Sequence, residues 1–138
     1  MLVGYWVTTG VFAALFLASG VVGLAQVPAN VAATRALGYP PYLLTILGVW
    51  KLLSVLALIA PRLPRLKEWA YAGIFFELTG AAASHAFSGD TPGRIATPLV
   101  LLLLPAVSWA LRPPSRTWRP SPTGPKNVAR LEDVPANA

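Results

Sequence analysis

Two ionisable residues, Lys51 and Glu77, stand inside long apolar segments of this 138-residue sequence. An ionisable side chain near the centre of a bilayer costs about 2.5 to 3.5 kcal/mol on insertion scales, so it is seldom kept without a partner. Lys51 lies 12 residues before Leu63, and Glu77 lies 14 residues after it. On antiparallel helices that rise about 1.5 Å per residue, the two groups reach nearly the same depth. We therefore expect them to form a buried ion pair.

Such a pair has two interpretations. It can serve only to fix the register of two helices, which is a well-attested use of buried ionic groups. It can also belong to a ligand or proton site, which is the usual role of ionisable residues inside a membrane. A lysine and a carboxylate could then do general acid–base chemistry on a lipophilic substrate. The sequence leaves both interpretations open.

Further polar groups follow Glu77 along the same segment. Ser84 is seven residues later and shares its helix face, while His85 lies about a quarter-turn round. A carboxylate, a hydroxyl and an imidazole could thus meet toward one end of a bundle. Alternatively, His85 lies near a helix end and bonds a carbonyl or Asp90. With one His and no Cys in the chain, we predict no metal site.

Aromatic residues could supply the walls of a cavity for a flat, apolar ring, although aromatics at helical spacing more often serve packing. The residues in question are Tyr39, Tyr42, Trp50 and Tyr71. The candidate acid–base residues are therefore Lys51, Glu77 and His85, and the candidate ligand contacts are Lys51, Glu77, Ser84, His85, Trp50 and Tyr71.

The composition is that of an integral membrane protein. Hydrophobic residues make up 55% of the chain, charged residues only 12%, and the mean hydropathy is +0.59. The absence of Cys excludes a disulfide framework, an iron–sulfur cluster and a thiol relay within this chain. The first apolar run lacks the basic stretch of a signal peptide and is long enough to span, so we expect a retained helix.

The elements that must position these residues are four transmembrane helices in an all-α antiparallel bundle. We predict spans at about residues 4–26, 42–60, 68–87 and 95–111, and a short interfacial helix that Asn30 caps and that runs to about Leu37. Ser19 and Gly23, four residues apart, favour close approach of a neighbouring helix. The transmembrane domain covers residues 1–112, and residues 113–138 form a disordered basic cytoplasmic tail.

The distribution of basic residues predicts the orientation. One side of the bundle holds Arg62, Arg65, Lys67, Arg112, Arg116, Arg119, Lys126 and Arg130, whereas the other holds Arg35 and Arg94. Because short basic flanks stay in the cytoplasm, we expect a multi-pass protein of the bacterial inner membrane with both termini cytoplasmic. The formal charge of +6 then reflects topology, and we expect no nucleic-acid partner. Glu68 is interpreted as a cap in the first turn of its helix.

An ordered series of short motifs resembles the DoxX-like family of small four-helix membrane proteins over about residues 4–112. The motifs are Leu37-Gly38-Tyr39-Pro40, Gly48 with Lys51, Glu68-Trp69-Ala70-Tyr71-Ala72-Gly73, and Gly80-Ala81 with Ser84-His85. The wider DoxX group includes a subunit of a thiosulfate:quinone oxidoreductase and membrane partners of redox and stress enzymes. The resemblance implies that a quinone or similar lipophile is framed by the matched polar residues Lys51, Glu68, Glu77, Ser84 and His85.

The sequence is compatible with three functions. The first is an accessory membrane protein that binds a quinone-like or other lipophilic small molecule for a partner oxidoreductase. The sequence shows no redox centre of its own, which argues against direct electron transfer. The second is an isomerase or hydrolase that moves protons on a lipophilic substrate. The third is a scaffold that assembles with copies of itself or with other membrane proteins through small-residue faces.

Overall fold

The computed structural model describes residues 2–117, and all regular structure within that range is helical. Five α-helices and one short 3-10 helix follow each other in the chain. They are α1 (Leu2–Leu24), α2 (Pro28–Ala36), α3 (Tyr42–Ile59), α4 (Pro64–Phe87), α5 (Pro92–Ala110) and the 3-10 helix η1 (Pro114–Arg116). Most of the predicted tail lies outside the described residues, so its disorder stays a prediction.

The four long helices form a ring in which each packs against two others. The packed pairs are α1 with α3, α3 with α4, α4 with α5, and α5 with α1. Neighbours in this ring run antiparallel, as contacts such as Lys51–Glu77 and Thr9–Ser108 require. The apolar interior is built on Phe12, Phe16, Leu58 and Ile74, all nearly inaccessible. The prediction of an all-α fold is confirmed for residues 2–117, and the four long helices pack as a ring.

Helix boundaries follow local chemistry that the sequence shows only in part. Three helices begin at a proline, Pro28, Pro64 and Pro92, whose missing N–H costs nothing at a first helical position. The helix predicted to begin at Asn30 therefore starts at Pro28, so the prediction that Asn30 is its cap is wrong. Likewise α4 begins four residues before the predicted Glu68, which removes that residue from the first turn.

Glycines allow α1 and α3 to cross at short range. A Cβ built on Gly48 would lie 2.8 Å from Leu24 Cγ and 2.9 Å from the carbonyl oxygen of Gly20. One built on Gly23 would lie 3.1 Å from the carbonyl oxygen of Leu44. Only glycine fits such close backbone contact, so the predicted close approach through the small residues of α1 is confirmed.

Three of the described helices, α1, α3 and α5, are long and apolar enough to cross a membrane. Helix α4 is as long as they are, but Lys67, Glu68 and Glu77 make it more polar. The chain is therefore a helical membrane protein with at least this many candidate spans in residues 2–117.

The folded part continues beyond the boundary expected at residue 112. Residues Pro114–Arg116 form η1, which packs on α4. Arg116 Nη1 donates hydrogen bonds to the carbonyl oxygen of Leu58 and to the hydroxyl of Tyr5. These contacts hold η1 at the end of the bundle where α1 begins and α3 ends. We call this the basic end, because Lys67, Arg112 and Arg116 lie there.

The turn after α2 contains Gly38, and substitution of this glycine tests how the turn is stabilised. Its φ of +84° lies in the left-handed region, and a Cβ there would meet nothing within 4 Å. Substitution by alanine should therefore cost only backbone strain, about 1 kcal/mol of unfolding free energy. Thermal unfolding in detergent measures this effect. Gly93→Ala is the matched control, because that glycine is equally open but lies in a helix, and an equal loss in both variants would contradict the prediction.

Candidate functional site

The predicted ion pair is present in the structure. Lys51 Nζ on α3 lies 3.1 Å from Glu77 Oε1 on α4, which confirms the expected pairing of the two residues. The ammonium also donates a hydrogen bond of 3.0 Å to Ser19 Oγ on α1. Lys51 on α3 therefore contacts both α1 and α4, so one side chain connects three helices.

The surroundings of the pair are mostly closed. Lys51 Nζ lies 5.4 Å from the centre of the Phe16 ring, within range of a cation–π interaction. The side chains of Lys51 and Glu77 are only 18% and 17% exposed. The close α1–α3 crossing sets this geometry, because the Cβ of Lys51 lies 3.2 Å from where a Cβ on Gly20 would stand.

Glu77 opens onto a groove between α3 and α4 with a volume of about 660 Å³. The groove has apolar and aromatic walls, and its polar side chains are Ser54 and Glu77. Its lining residues are Leu47, Trp50, Leu53, Ser54, Ala57, Leu66, Trp69, Ala70, Ala72, Gly73, Phe76 and Glu77. The volume falls in the range of pockets that hold small organic ligands.

The predicted aromatic residues do not share one cavity. Trp50 lines the α3–α4 groove, whereas Tyr71 lines a separate cleft between α4 and α5. Tyr39 lies at the opposite end of the bundle, where its hydroxyl is 2.9 Å from Ser84 Oγ. Tyr42 lines neither space and is largely exposed. Of these candidates, only Trp50 is next to the ion pair's groove.

Ser84 and His85 also lie away from the ion pair, toward the end opposite the basic end. Ser84 Oγ donates to the carbonyl oxygen of Gly80. His85 Nδ1 lies 2.8 Å from Asp90 Oδ2, and Arg94 Nη1 lies 3.2 Å from Asp90 Oδ1. Of the two interpretations of His85, the structure shows the contact with Asp90. The shared helix face does not bring a carboxylate, a hydroxyl and an imidazole together.

The loop carboxylate of Asp90 is held in its charged form by these neighbours. The hydrogen bond from the His85 ring, aided by the charge of Arg94, holds the pKa of Asp90 below its usual value. Since a carboxylate only accepts, Nδ1 of His85 must carry the shared proton. The arrangement closes the turn between α4 and α5 and stabilises that end of the bundle.

The role of Lys67 was not predicted from the sequence, where this residue counted only as a topological charge. Lys67 is 1% exposed, and its ammonium donates to the carbonyl oxygens of Ala57, Leu58 and Ala60. These groups belong to the last turn of α3, where carbonyls lack partners within the helix. The positive charge also interacts favourably with the helix dipole there. Lys67 therefore caps α3 from the neighbouring helix.

A buried chain of hydroxyl groups joins three helices near the basic end. Ser108 Oγ on α5 lies 2.6 Å from Thr9 Oγ1 on α1 and 2.7 Å from the hydroxyl of Tyr71 on α4. All three residues are nearly inaccessible. The only sequence signal was the presence of Thr9 and Ser108 in otherwise apolar helices. The chain satisfies these hydroxyls and aligns the helices.

Glu68 has partners other than its own helix terminus. Arg112 Nη2 lies 2.8 Å from Glu68 Oε1, and Trp109 Nε1 donates to Oε2 over 3.1 Å. The interpretation of Glu68 as a first-turn cap is therefore wrong, because α4 begins at Pro64 and places the carboxylate against α5. Glu68 lies at the polar end of the α4–α5 cleft, far along α4 from Glu77.

The arrangement thus offers one place where chemistry on a lipophilic molecule is feasible. At the α3–α4 groove, the carboxylate of Glu77 borders an apolar space, and the Lys51 ammonium lies behind it at 3.1 Å. The ammonium can donate to a carbonyl oxygen, and the carboxylate can accept from a hydroxyl. Of the other candidate residues, Trp50 lines this groove, whereas Tyr71, Ser84 and His85 make contacts within the fold.

Comparison with known proteins agrees with this architecture. A model of the DoxX-like family matches residues 7–108, which is most of the described bundle. No curated protein and no solved structure matches the chain. On the family match, this chain belongs to the DoxX-like family.

Proposed function

We propose that this protein binds a quinone-like or other lipophilic small molecule in the α3–α4 groove, as an accessory to a membrane oxidoreductase. The observation that carries the proposal is that Glu77, the carboxylate of the Lys51–Glu77 pair, opens onto an apolar groove. A pair that only fixed helix register would need no such space beside it. The groove supplies room for a ring, and the pair supplies polar contacts at its end.

The proposal includes four membrane spans with the basic end in the cytoplasm of a bacterial cell. Helix α4 has 24 residues, about 36 Å of helix, and packs beside two apolar helices of similar length. Its charged groups Lys67, Glu68 and Glu77 all have partners, which lowers the cost of placing α4 in lipid. The excess of Lys and Arg at the basic end favours this orientation.

The chemistry of the groove favours a molecule with a flat ring and polar oxygens. Trp50, Trp69 and Phe76 provide aromatic surface for stacking. Lys51 can donate to a ring carbonyl, and Glu77 can accept a hydrogen bond from a phenolic hydroxyl. A quinone and its reduced form present these two groups in turn. The groove is partly open to its surroundings, so an isoprenoid chain could leave it and lie against the bundle.

A second candidate function is an isomerase or hydrolase that uses Glu77 and Lys51 as acid and base. The 3.1 Å contact favours it, because a substrate in the groove would meet Glu77, with Lys51 directly behind as its proton-exchange partner. The position of His85 does not add to this candidate, since its Nδ1 contacts Asp90. Turnover of an added lipophilic ester or enone by purified protein would favour this function over simple binding.

Filling the groove tests the proposal. Gly73 lines it, and a Cβ on Gly73 would meet nothing within 4 Å, so leucine there should occupy groove volume without disturbing the fold. We expect an organic extract of the purified wild-type protein to contain a hydrophobic compound other than phospholipid. Mass spectrometry should show at least about tenfold less of it in Gly73→Leu, because the side chain takes its place.

Gly80→Leu is the matched control, since Gly80 lies on the same helix, is equally open and does not line the groove. It should keep the compound at the wild-type level. Bulk phospholipid alone in the wild-type extract, or equal retention in Gly73→Leu, would overturn the proposed binding. Glu77→Gln removes the carboxylate charge but keeps the shape of the groove. This variant therefore measures how much the polar contact contributes to binding, separately from the groove.

A further inference from the structure

The second space on the surface is the cleft between α4 and α5. It has a volume of about 360 Å³, and its far part is apolar, with Phe75, Leu102 and Pro105. Its end toward the basic end is bordered by Glu68 and Trp109. The cleft is therefore apolar along the bundle and polar at the bundle's end. This distribution of polarity matches that of an amphiphilic ligand.

Positive charge accumulates beside that polar end. Lys67 lies within electrostatic range of both Arg112 and Arg116. Within residues 2–117, the one carboxylate that contacts this group is Glu68, which pairs with Arg112. Three cations therefore lie at the basic end with one contacting carboxylate, so this end of the bundle carries an excess of positive charge; Arg112 is the cation beside the cleft, and Lys67 and Arg116 lie toward α3 and α1. Such an excess attracts a negatively charged group.

Arg112 supplies a donor that the described part of the chain does not use. Its side chain is only 4% exposed; Nη2 contacts Glu68, and Nε donates to the carbonyl oxygen of Trp109. Nη1 is buried, yet it has no hydrogen-bond acceptor among residues 2–117. A buried guanidinium nitrogen without an acceptor is rare and costly, and it calls for an oxygen ligand.

The guanidinium lies directly behind the wall of the cleft. Its central carbon is 5.0 Å from the centre of the Tyr71 ring and 5.3 Å from that of Trp109. Both residues line the cleft, and Trp109 is 51% exposed. Access of a ligand oxygen to Nη1 would require the Trp109 indole to move and release its hydrogen bond to Glu68, and the apolar part of the ligand would then lie along α4 and α5.

From these observations we propose that the α4–α5 cleft binds an anionic phospholipid, whose phosphate accepts hydrogen bonds from Arg112. The acyl chain lies on Phe75 and Leu102, and the excess charge selects a headgroup with net negative charge. A guanidinium suits this role because its planar donors match phosphate oxygens. The site lies on another face of α4 from the α3–α4 groove and does not depend on the function proposed for that groove.

Native mass spectrometry and thermal unfolding of the full chain in detergent test the proposal. Phosphatidylglycerol should remain bound and raise the Tm, whereas phosphatidylcholine should do so far less. Arg112→Gln should weaken phosphatidylglycerol binding by about tenfold through loss of the charge-assisted bonds. Arg62→Gln, which removes an exposed charge from the loop at the same end, should bind within about twofold of wild type.

Several outcomes would overturn the site. These are equal binding of the two lipids by the wild-type protein, unchanged binding by Arg112→Gln, or an equal loss in Arg62→Gln. If inorganic phosphate raised the Tm as much as phosphatidylglycerol, the cleft would be a site for a free anion. That result would overturn the proposal of a lipid ligand. If Arg112→Gln does not fold, the preference of the wild-type protein between the two lipids decides alone. Arg112→Lys gives a second check, because wild-type binding there would show that only charge is needed.

Discussion

Replacing Gly48 by leucine should lower the free energy of unfolding by about 3 kcal/mol, the upper part of the range for overpacked interiors. A Cβ at this position would already stand 2.8 Å from Leu24 Cγ and 2.9 Å from the carbonyl oxygen of Gly20. The second contact is with backbone, which cannot turn aside as a side chain can. Helices α1 and α3 must therefore separate along their crossing, with loss of packing on both sides.

Equilibrium unfolding in detergent micelles measures this loss for Gly48→Leu. Gly80→Leu is the matched control, because a Cβ on Gly80 meets nothing within 4 Å and the added side chain would point into open space. The Gly80 variant should unfold like wild type. Similar losses in both would mean that leucine acts through helix propensity or detergent contact rather than through the α1–α3 crossing.

Substitution of Lys67 by methionine should cost about 3 kcal/mol or more. The change keeps the length of the side chain but removes a buried ammonium that donates to three carbonyl oxygens of α3. Hydrogen bonds to a charged group contribute about 1.5 to 3 kcal/mol each, and the abandoned carbonyls would be left without a donor. The last turn of α3 should fray first, because its cap comes from α4.

Unfolding measurements and backbone hydrogen exchange at residues 57–60 test this prediction. Arg62→Met provides the comparison, since Arg62 is a cation in the adjoining loop with an exposed side chain. It should leave exchange in α3 unchanged. A Lys67→Met protein that matches wild type in stability and exchange would show that the carbonyls find other donors and that Lys67 is not the cap.

The sequence was enough to predict the number and approximate limits of the long helices, because hydropathy and helix length act within one segment. It also predicted the Lys51–Glu77 contact. That prediction succeeded because a short loop joins two antiparallel helices, so that counting residues from the loop sets the depth of each group. Both predictions use distances along the chain, which the sequence gives directly.

Counting residues along the chain could not predict contacts between helices that are distant in sequence, because these contacts depend on how the ring of helices closes. Thr9 and Ser108 are 99 residues apart, and nothing in their spacing tells that α1 and α5 are neighbours. The same holds for Glu68 and Arg112, which meet across α4 and α5. Glu68 looked like a helix cap only because the start of α4 was placed four residues too late.

Ser84 and His85 show a different limit. Their spacing from Glu77 suggested one shared face, and the helix geometry behind that argument is correct. However, partners nearer in space compete for short polar side chains. Tyr39 contacts Ser84, and Asp90, five residues after His85, contacts its ring. A common face does not bring residues two turns apart into contact, since they are about 10 Å apart along the axis.

The hydroxyl chain of Thr9, Tyr71 and Ser108 has a consequence for biogenesis. Synthesis proceeds from the N-terminus, so α1 and α4 emerge from the ribosome before the residue that connects their hydroxyls. Until α5 arrives, Thr9 and Tyr71 lack their common partner, and the ring of helices stays open on one side. The hydroxyl chain, and with it the closed ring, is therefore completed only when α5, the last long helix among residues 2–117, joins α1 and α4.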